Sequence, residues 1–352
     1  MTTRLSLQSF RLKHFKAVRN SGGIRFTPLT AFIGNNGSGK SSIIEALETL
    51  QQIFLVGVDA AMLPWRGCEH VWCKGVEHEK KRPKAGGEIR HSNPMTFELR
   101  GRSVNGPISV EIQLTTDAGG NKILVSGNHL SDKEIVDFVS SWQFLNLNPG
   151  GMTYPVPQKR TPGLVRLAKE GTNIAEYLQS IRDQDTRIFD DLIDSLKLVL
   201  PYADDVQPTI TSELERAVYL KMSERGLTGK IPGWLLSQGT LRILALLAVF
   251  RHPKRPAVVF IEEVENGLDP RTIHLVVDEI RHFVENGGQV VLTTHSPFLL
   301  DLLHISQLIV VERGKNGAHS FKRPGSDSAL KDWTEKFAPG KLYTMGSLTN
   351  GR

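Results

Sequence analysis

Two cysteines in 352 residues, Cys68 and Cys73, are too few and too close for a disulfide framework. No apolar run is long enough to span a bilayer; the longest, Ile243 to Phe250, is far short of that. The opening MTTRLSLQSFRLKHF lacks the apolar segment and small-residue cleavage site of a secretory signal. A cytoplasmic protein that does not enter the membrane is therefore expected. Heptads, internal repeats and low-complexity tails are missing too, which argues against a coiled coil or a solenoid. Charge of one sign is not in large excess: the net is +6, which permits contact with nucleic acid without requiring it. The main basic cluster, Lys80, Lys81, Arg82 and Lys84, reads first as a solvated loop. His70 and His78 lie near the two cysteines, but the spacing matches no common zinc finger and no second ligand pair follows, so a polar loop with incidental thiols is the better reading.

What is present is an ordinary globular composition, 39% hydrophobic and 23% charged, with a clear order of elements. Leu5–Phe15 and Ile24–Ile33 alternate like strands around the turn Asn20-Ser21-Gly22-Gly23. A helix is expected over Ser41–Phe54, with Ile43, Ile44, Leu47, Leu50 and Phe54 on one face. Residues 64–94 read as an irregular excursion. Thr96–Arg100, Ser109–Thr115 and Ile123–Ser126 read as antiparallel strands, and Leu130–Val139 as a helix. The Pro- and Gly-rich Pro149–Pro162 marks passage into a helical lobe, with Asn173–Leu200 as its amphipathic helix. Helix Leu241–Phe250, strand Ala257–Ile261, helix Thr272–Glu285, strand Gln289–Thr293 and, after a short helix, strand Leu308–Val311 then alternate as in a parallel sheet. The expected class is α/β: a mixed or parallel sheet core with an antiparallel β subdomain and a helical lobe. The expected boundaries are an N-terminal lobe at 1–145, a helical lobe at 146–250, a core part at 251–313 and a polar tail at 314–352.

Four motifs carry chemistry. Gly34-Asn35-Asn36-Gly37-Ser38-Gly39-Lys40-Ser41 fits the phosphate-binding loop G-x-x-x-x-G-K-[ST], with Ser42 following in the helix. Glycines let such a loop turn several N–H groups onto one phosphate, and the helix dipole adds to them. Lys40 is placed to reach the β- and γ-phosphates of ATP, and the Ser41 hydroxyl to ligate Mg²⁺. Val258-Val259-Phe260-Ile261-Glu262-Glu263 delivers two acids at the C-terminal end of a buried strand. Glu262 suits Mg²⁺, directly or through water, although an Asp more often fills that position. Glu263 suits the orientation or deprotonation of attacking water. A surface acid pair is the plain alternative. Ser237-Gln238-Gly239 opens an apolar helix; it is either an ordinary cap or a second anion site. His295, in Thr294-His295-Ser296 at a strand end, can sense a γ-phosphate or serve packing alone.

The order of these motifs resembles the ABC ATPase superfamily, and its RecF/SMC-like branch more than the transporters. Leu12-Lys13-His14-Phe15-Lys16 ahead of the phosphate loop is similar to that branch's opening. Glu262-Glu263-Val264-Glu265-Asn266-Gly267-Leu268-Asp269-Pro270 resembles the I-E-E-P-E-N-G-L-H-P segment of bacterial "predicted AAA-type ATPases", with Val264 for proline and Asp269 for histidine. Trp142-Gln143-Phe144, Glu170-Gly171-Thr172-Asn173 and Gly340-Lys341-Leu342-Tyr343 are similar as well. The resemblance implies an ATP hydrolase that forms a homodimer or higher oligomer around ATP and Mg²⁺. Ser237 and Gly239 would bind the partner's γ-phosphate, Asp269 would cross the interface, His295 would be the switch histidine and Gln143 the Q-loop ligand to Mg²⁺. It also implies work in DNA repair or anti-phage defence, with DNA or a separate effector such as a nuclease or toxin. Relatives of the overcoming-lysogenization-defect class fuse such an ATPase to a nuclease, and the residues after Val311 are too few for one. A transporter's ATPase subunit and a phosphate-loop small-molecule kinase are the alternatives.

Overall fold

The computed structural model describes residues 5–73, 93–103, 106–116, 122–128, 132–158, 163–212, 214–324 and 336–348. The basic cluster at 80–84, His78 and Leu130 lie outside them. The chain divides into one unit of Met1–Trp142 with Val291–Arg352 and a second of Gln143–Val290.

In the first unit, Ser6–Phe15 pairs antiparallel with Val18–Asn20, Ile24–Arg25 and Met95–Ser103. Gly106–Thr116 and Ile123–Gly127 extend the sheet beyond Met95–Ser103. Leu7, Phe10, Leu12 and Phe15 are buried. The step of three between Leu7 and Phe10 coincides with a register shift between Leu7 and Ser9: a bulge restores the inward phase after one extra residue. Each aromatic buried here contributes on the order of 1.5–3 kcal/mol.

Ile24–Ile33 is not one strand. It breaks into Ile24–Arg25 and Leu29–Ile33. Pro28 has no N–H for a ladder, and Thr27 turns its own N–H onto Thr30 Oγ1 at 2.9 Å. Leu29–Ile33 is buried throughout and runs parallel to Leu308–Arg313, which pairs antiparallel with His319–Lys322. Burial on both faces explains the continuous apolar runs. Helix Lys40–Val56 follows the phosphate loop and buries Ile43, Ile44, Leu47 and Leu50. Its Gln51 amide donates to the Val139 and Trp142 carbonyls, at 2.8 and 2.9 Å, beside helix Lys133–Ser140. Residues 63–71 hold a 3-10 turn and the short helix Cys68–Val71. Both cysteines are buried free thiols, and burial, with Glu69 beside it, pushes Cys68 up to about 12.

In the second unit, Gln143–Leu145 runs parallel to Val258–Ile261, and Gln289 N–H donates to the Ala257 carbonyl at 3.0 Å. Asn173–Leu200 is two helices, Ile174–Gln184 and Thr186–Val199. Asp185 between them is extended, and its carboxylate caps the second by accepting from Arg187 and Ile188 N–H. The segment read as a helical lobe also holds an antiparallel sheet of Ala203–Ile210, Ala217–Glu224, Lys230–Pro232 and Val156–Pro157. Helix Gln238–Arg251 is buried nearly all round; Arg251 ends it with a two-pronged pair to the buried Glu279 on helix Pro270–Glu285. No helix among the described residues is long and apolar enough to cross a membrane.

Candidate functional site

The phosphate loop belongs wholly to the first unit. Gly34, Gly37 and Gly39 have φ of 145°, 73° and 105°, conformations that L side chains rarely adopt. At Gly34 space is limiting as well, because a Cβ would overlap the Val311 carbonyl oxygen. Gly37 faces open space. Helix Lys40–Val56 starts with no side-chain cap and no acid in its first turn, so its N-terminal N–H groups face the loop without a competing carboxylate. Lys40 is only 7% exposed, and its ammonium donates to the Gly34 and Asn35 carbonyls, at 2.7 and 3.1 Å. Ser38 Oγ is buried with no hydrogen-bond partner among the described residues, a condition that costs about 1–3 kcal/mol unless an acceptor or donor arrives. Asn35, Asn36 and Gly37 are exposed, and Ser41 opens the helix in solvent with Ser42 half-buried. Uncapped N–H groups, a preset cation and an orphaned hydroxyl fit a polyphosphate.

The same unit brings His295 to this loop. Thr294 N–H donates to the Phe32 carbonyl at 3.2 Å, so His295 leaves its strand where Ile33 and Gly34 enter the loop. Ser296 then caps the short helix Pro297–Asp301. One neighbour was not foreseen. The buried His319 presses its ring against Gly39, where an added Cβ would stand 2.8 Å from its Cδ2. Burial, and then Arg313, hold this imidazole below its usual value, so the side chain packs there uncharged. A lone histidine in a polar stretch gave no signal of this. A cleft of about 390 Å³ lies between loop residues Asn35–Ser38 and Val311–Arg313.

The acid pair, the Ser237 helix and Asp269 belong to the second unit. Glu262 is half-buried and Glu263 exposed at the end of Val258–Ile261. Glu263 has φ 47°, a strained setting for a non-glycine residue that is common at functional sites. Its carboxylate accepts from the Asn266 amide, and its carbonyl from Asn266 N–H. Burial foremost holds the guanidinium of Arg242, on the Ser237 helix, below its usual value, against the opposing influence of Glu263 and Glu265 in this turn. Its Nη2 donates to the Leu147 carbonyl at 2.7 Å.

Ser237 is the N-cap of helix Gln238–Arg251; Oγ accepts from Thr240 N–H at 3.1 Å. Ser237 and Gln238 are nonetheless exposed, with no acid in the first turn. Gly239 is required by packing, since a Cβ would come within 2.8 Å of the Gly267 carbonyl. Asp269 caps helix Pro270–Glu285, accepting from Arg271 N–H, Thr272 N–H and Thr272 Oγ1. The Thr272 hydroxyl foremost holds its carboxyl below the usual range. Stability from such a group is present above the ordinary carboxylate pKa and is lost as pH falls through the lowered one. Asp269→Ala is therefore expected to lose about 1 kcal/mol at neutral pH, read as a lower urea midpoint. The gap from wild type should close in acid; a gap that persists there would show that the cap is not electrostatic.

Gln143 is not beside the acids. Its Cα partner is Val259, so it lies three positions before Glu262 along the ladder, about 10 Å. Its amide donates to the Phe144 and Leu167 carbonyls, at 3.0 and 2.9 Å. Glu262 N–H instead donates to the Leu145 carbonyl, which leaves the exposed Asn146 as the polar side chain leaving that strand next to the pair. Strand register, not motif spacing, was needed to find it.

Comparison with known proteins gives matches of two kinds. The family described as "AAA domain, putative AbiEii toxin, Type IV TA system" matches residues 127–301, and one described as "AAA ATPase domain" matches residues 6–86. Among solved structures, an SMC head bound to the C-winged helix domain of ScpA aligns with a TM-score of 0.60 at 15% identity, over 93% of this chain and 99% of that one. A Pyrococcus furiosus Smc head with an extended coiled coil, bound to the C-terminal domain of ScpA, gives 0.58 at 15% identity over 94% and 99%. Curated relatives include the Nod factor export ATP-binding protein I of Mesorhizobium japonicum, 25% identical over 52% of this chain and 50% of its own length. Another is ABC transporter G family member 51 of Oryza sativa subsp. japonica, 28% identical over 29% of this chain and 6% of its own length. The chain thus spans half or less of these relatives.

Proposed function

We propose that this chain, an ABC-type ATPase head of the RecF/SMC-like branch, binds ATP with Mg²⁺, closes on a second copy around it and reopens on hydrolysis. The observation that carries this reading is that, besides the helix behind the phosphate loop, the long helix at Ser237 also starts at an exposed N-terminus with no acid in its first turn. One chain then supplies a phosphate loop to its own nucleotide and a second anion site to another's. The buried γ-phosphate gives ATP its preference for the closed state.

In this reading the loop N–H groups from Gly34 to Ser42 and Lys40 bind the phosphates. Ser41 and Glu262 are the residues that would hold Mg²⁺, which would supply positive charge to offset the phosphates. Glu263 takes the proton of the attacking water, with Asn266 fixing its rotamer. Asn146 takes the polar role that the resemblance gave to Gln143. His295 meets the γ-phosphate; Ser237, Gly239 and Asp269 act across the dimer. The output falls on DNA or on a separate effector protein, a nuclease or toxin. The toxin–antitoxin description of the matched family supports bacterial defence over DNA repair as the setting.

Lys40→Ala is expected to weaken binding of a fluorescent ATP analogue at least about tenfold, the equivalent of one charge-assisted contact, and to abolish ATP-dependent change in mass by light scattering. Unchanged nucleotide affinity would overturn the assignment. The exporter relative keeps a second reading open, an ATPase subunit of a transporter; stable co-purification with a membrane subunit from native cells would favour it.

A further inference from the structure

The antiparallel sheet of the second unit buries one face, with Val206, Val218, Leu220 and Met222, and turns the other outward. Alternation puts Tyr219 and Lys221 on the outward face of the central strand. Register sets Thr209 and Gln207 beside them on one side and Pro232 beside Lys221 on the other. Trp234 follows in the 3-10 turn Gly233–Leu235 and stacks on Tyr219, ring centroids 5.6 Å apart and planes 25° from parallel. The indole is 49% exposed. Lys221 Nζ lies 5.2 Å from the Tyr219 ring centroid, and Lys230 reaches across the strands to Gln207 Oε1 at 2.8 Å. Asp205 also lies on this face, paired in register with Ser223.

The indole is therefore held flat by its neighbour before any ligand arrives, and two ammonium groups lie down on the same surface. A stacked ring fixed in advance loses little side-chain entropy on binding. The complementary ligand is a polyanion that presents flat rings. A single nucleic-acid strand does so, whereas a duplex keeps its base faces hidden. We propose that this face is a platform for single-stranded nucleic acid, with a base stacking on Trp234 and phosphates meeting Lys221 and Lys230. The proposal uses no residue of the ATP machinery and stands apart from the ATP reading.

The test is anisotropy of a labelled oligothymidylate of about 16 nucleotides, with the full chain and no nucleotide. The wild type should bind it more tightly than the matched duplex and lose affinity as salt rises. Trp234→Ala should weaken binding about tenfold, while Trp234→Tyr, which keeps a stacking ring, should restore most of it. Lys221→Gln with Lys230→Gln should flatten the salt dependence, and Lys40→Ala should bind like wild type. Equal affinity of wild type and a folded Trp234→Ala, or a preference for duplex, would overturn the proposal. So would the absence of binding at low salt.

Discussion

Glu263→Gln is expected to cut steady-state ATP turnover by about 100-fold or more, the scale of a lost general base, while ATP still binds. The substitution keeps size and keeps a carbonyl oxygen to accept from Asn266, so the turn at φ 47° retains its anchor. What it removes is the carboxylate to which the proposed mechanism gives the water's proton. ATP bound between two copies then persists, and the closed dimer accumulates with ATP and Mg²⁺ beyond its wild-type level. Light scattering reads the dimer and phosphate release reads the turnover. Undiminished turnover would remove Glu263 from the chemistry. Lost turnover without a new dimer would leave the base in place and reject the two-copy site.

The second large effect is expected at Ser237. Ser237→Arg places a long cation at an exposed helix N-terminus whose dipole already presents positive charge. On the proposed two-copy reading, ATP-dependent association should fall to background, since the added bulk fills the place given to the other copy's γ-phosphate. Nucleotide binding by the phosphate loop should remain. Ser237 is also a helix cap, and losing a cap costs about 1 kcal/mol by itself. Ser237→Asn retains the capping function and Ser237→Ala loses it without adding bulk, so these two separate a weakened helix from a blocked interface. If Ser237→Arg dimerises with ATP like wild type, the serine is a cap and nothing more.

Much of this site could be read from the chain alone because its parts are local. The phosphate loop, the acid pair and the apolar strands Leu29–Ile33, Val258–Ile261 and Gln289–Thr293 are short continuous signals. The break at Asp185 was hidden in a charged run, where a capping aspartate looks like any other surface acid. The sheet containing Ala203–Ile210 was hidden for a different reason. Its outward positions are polar, and Pro208 argues against a strand; it is tolerated because that strand lies at the sheet edge. Asn146 depended on ladder register, and His319 on a strand that closes against the loop from the far end of the sequence.

The overlap of a Gly34 side chain with the Val311 carbonyl has a consequence for genetics. Gly34 sits where the loop leaves its sheet, so an alanine allele has to push two paired strands apart, and the cell should degrade the product before it matures. Gly37, in the same loop, meets nothing within 4 Å; an alanine allele there bears only the left-handed backbone cost, about 1–2 kcal/mol, and should accumulate as an intact but inactive protein. Scored by phenotype the two alleles look alike. Scored by abundance they separate, and if the chain closes on a second copy as proposed, only the second allele can act as a dominant poison.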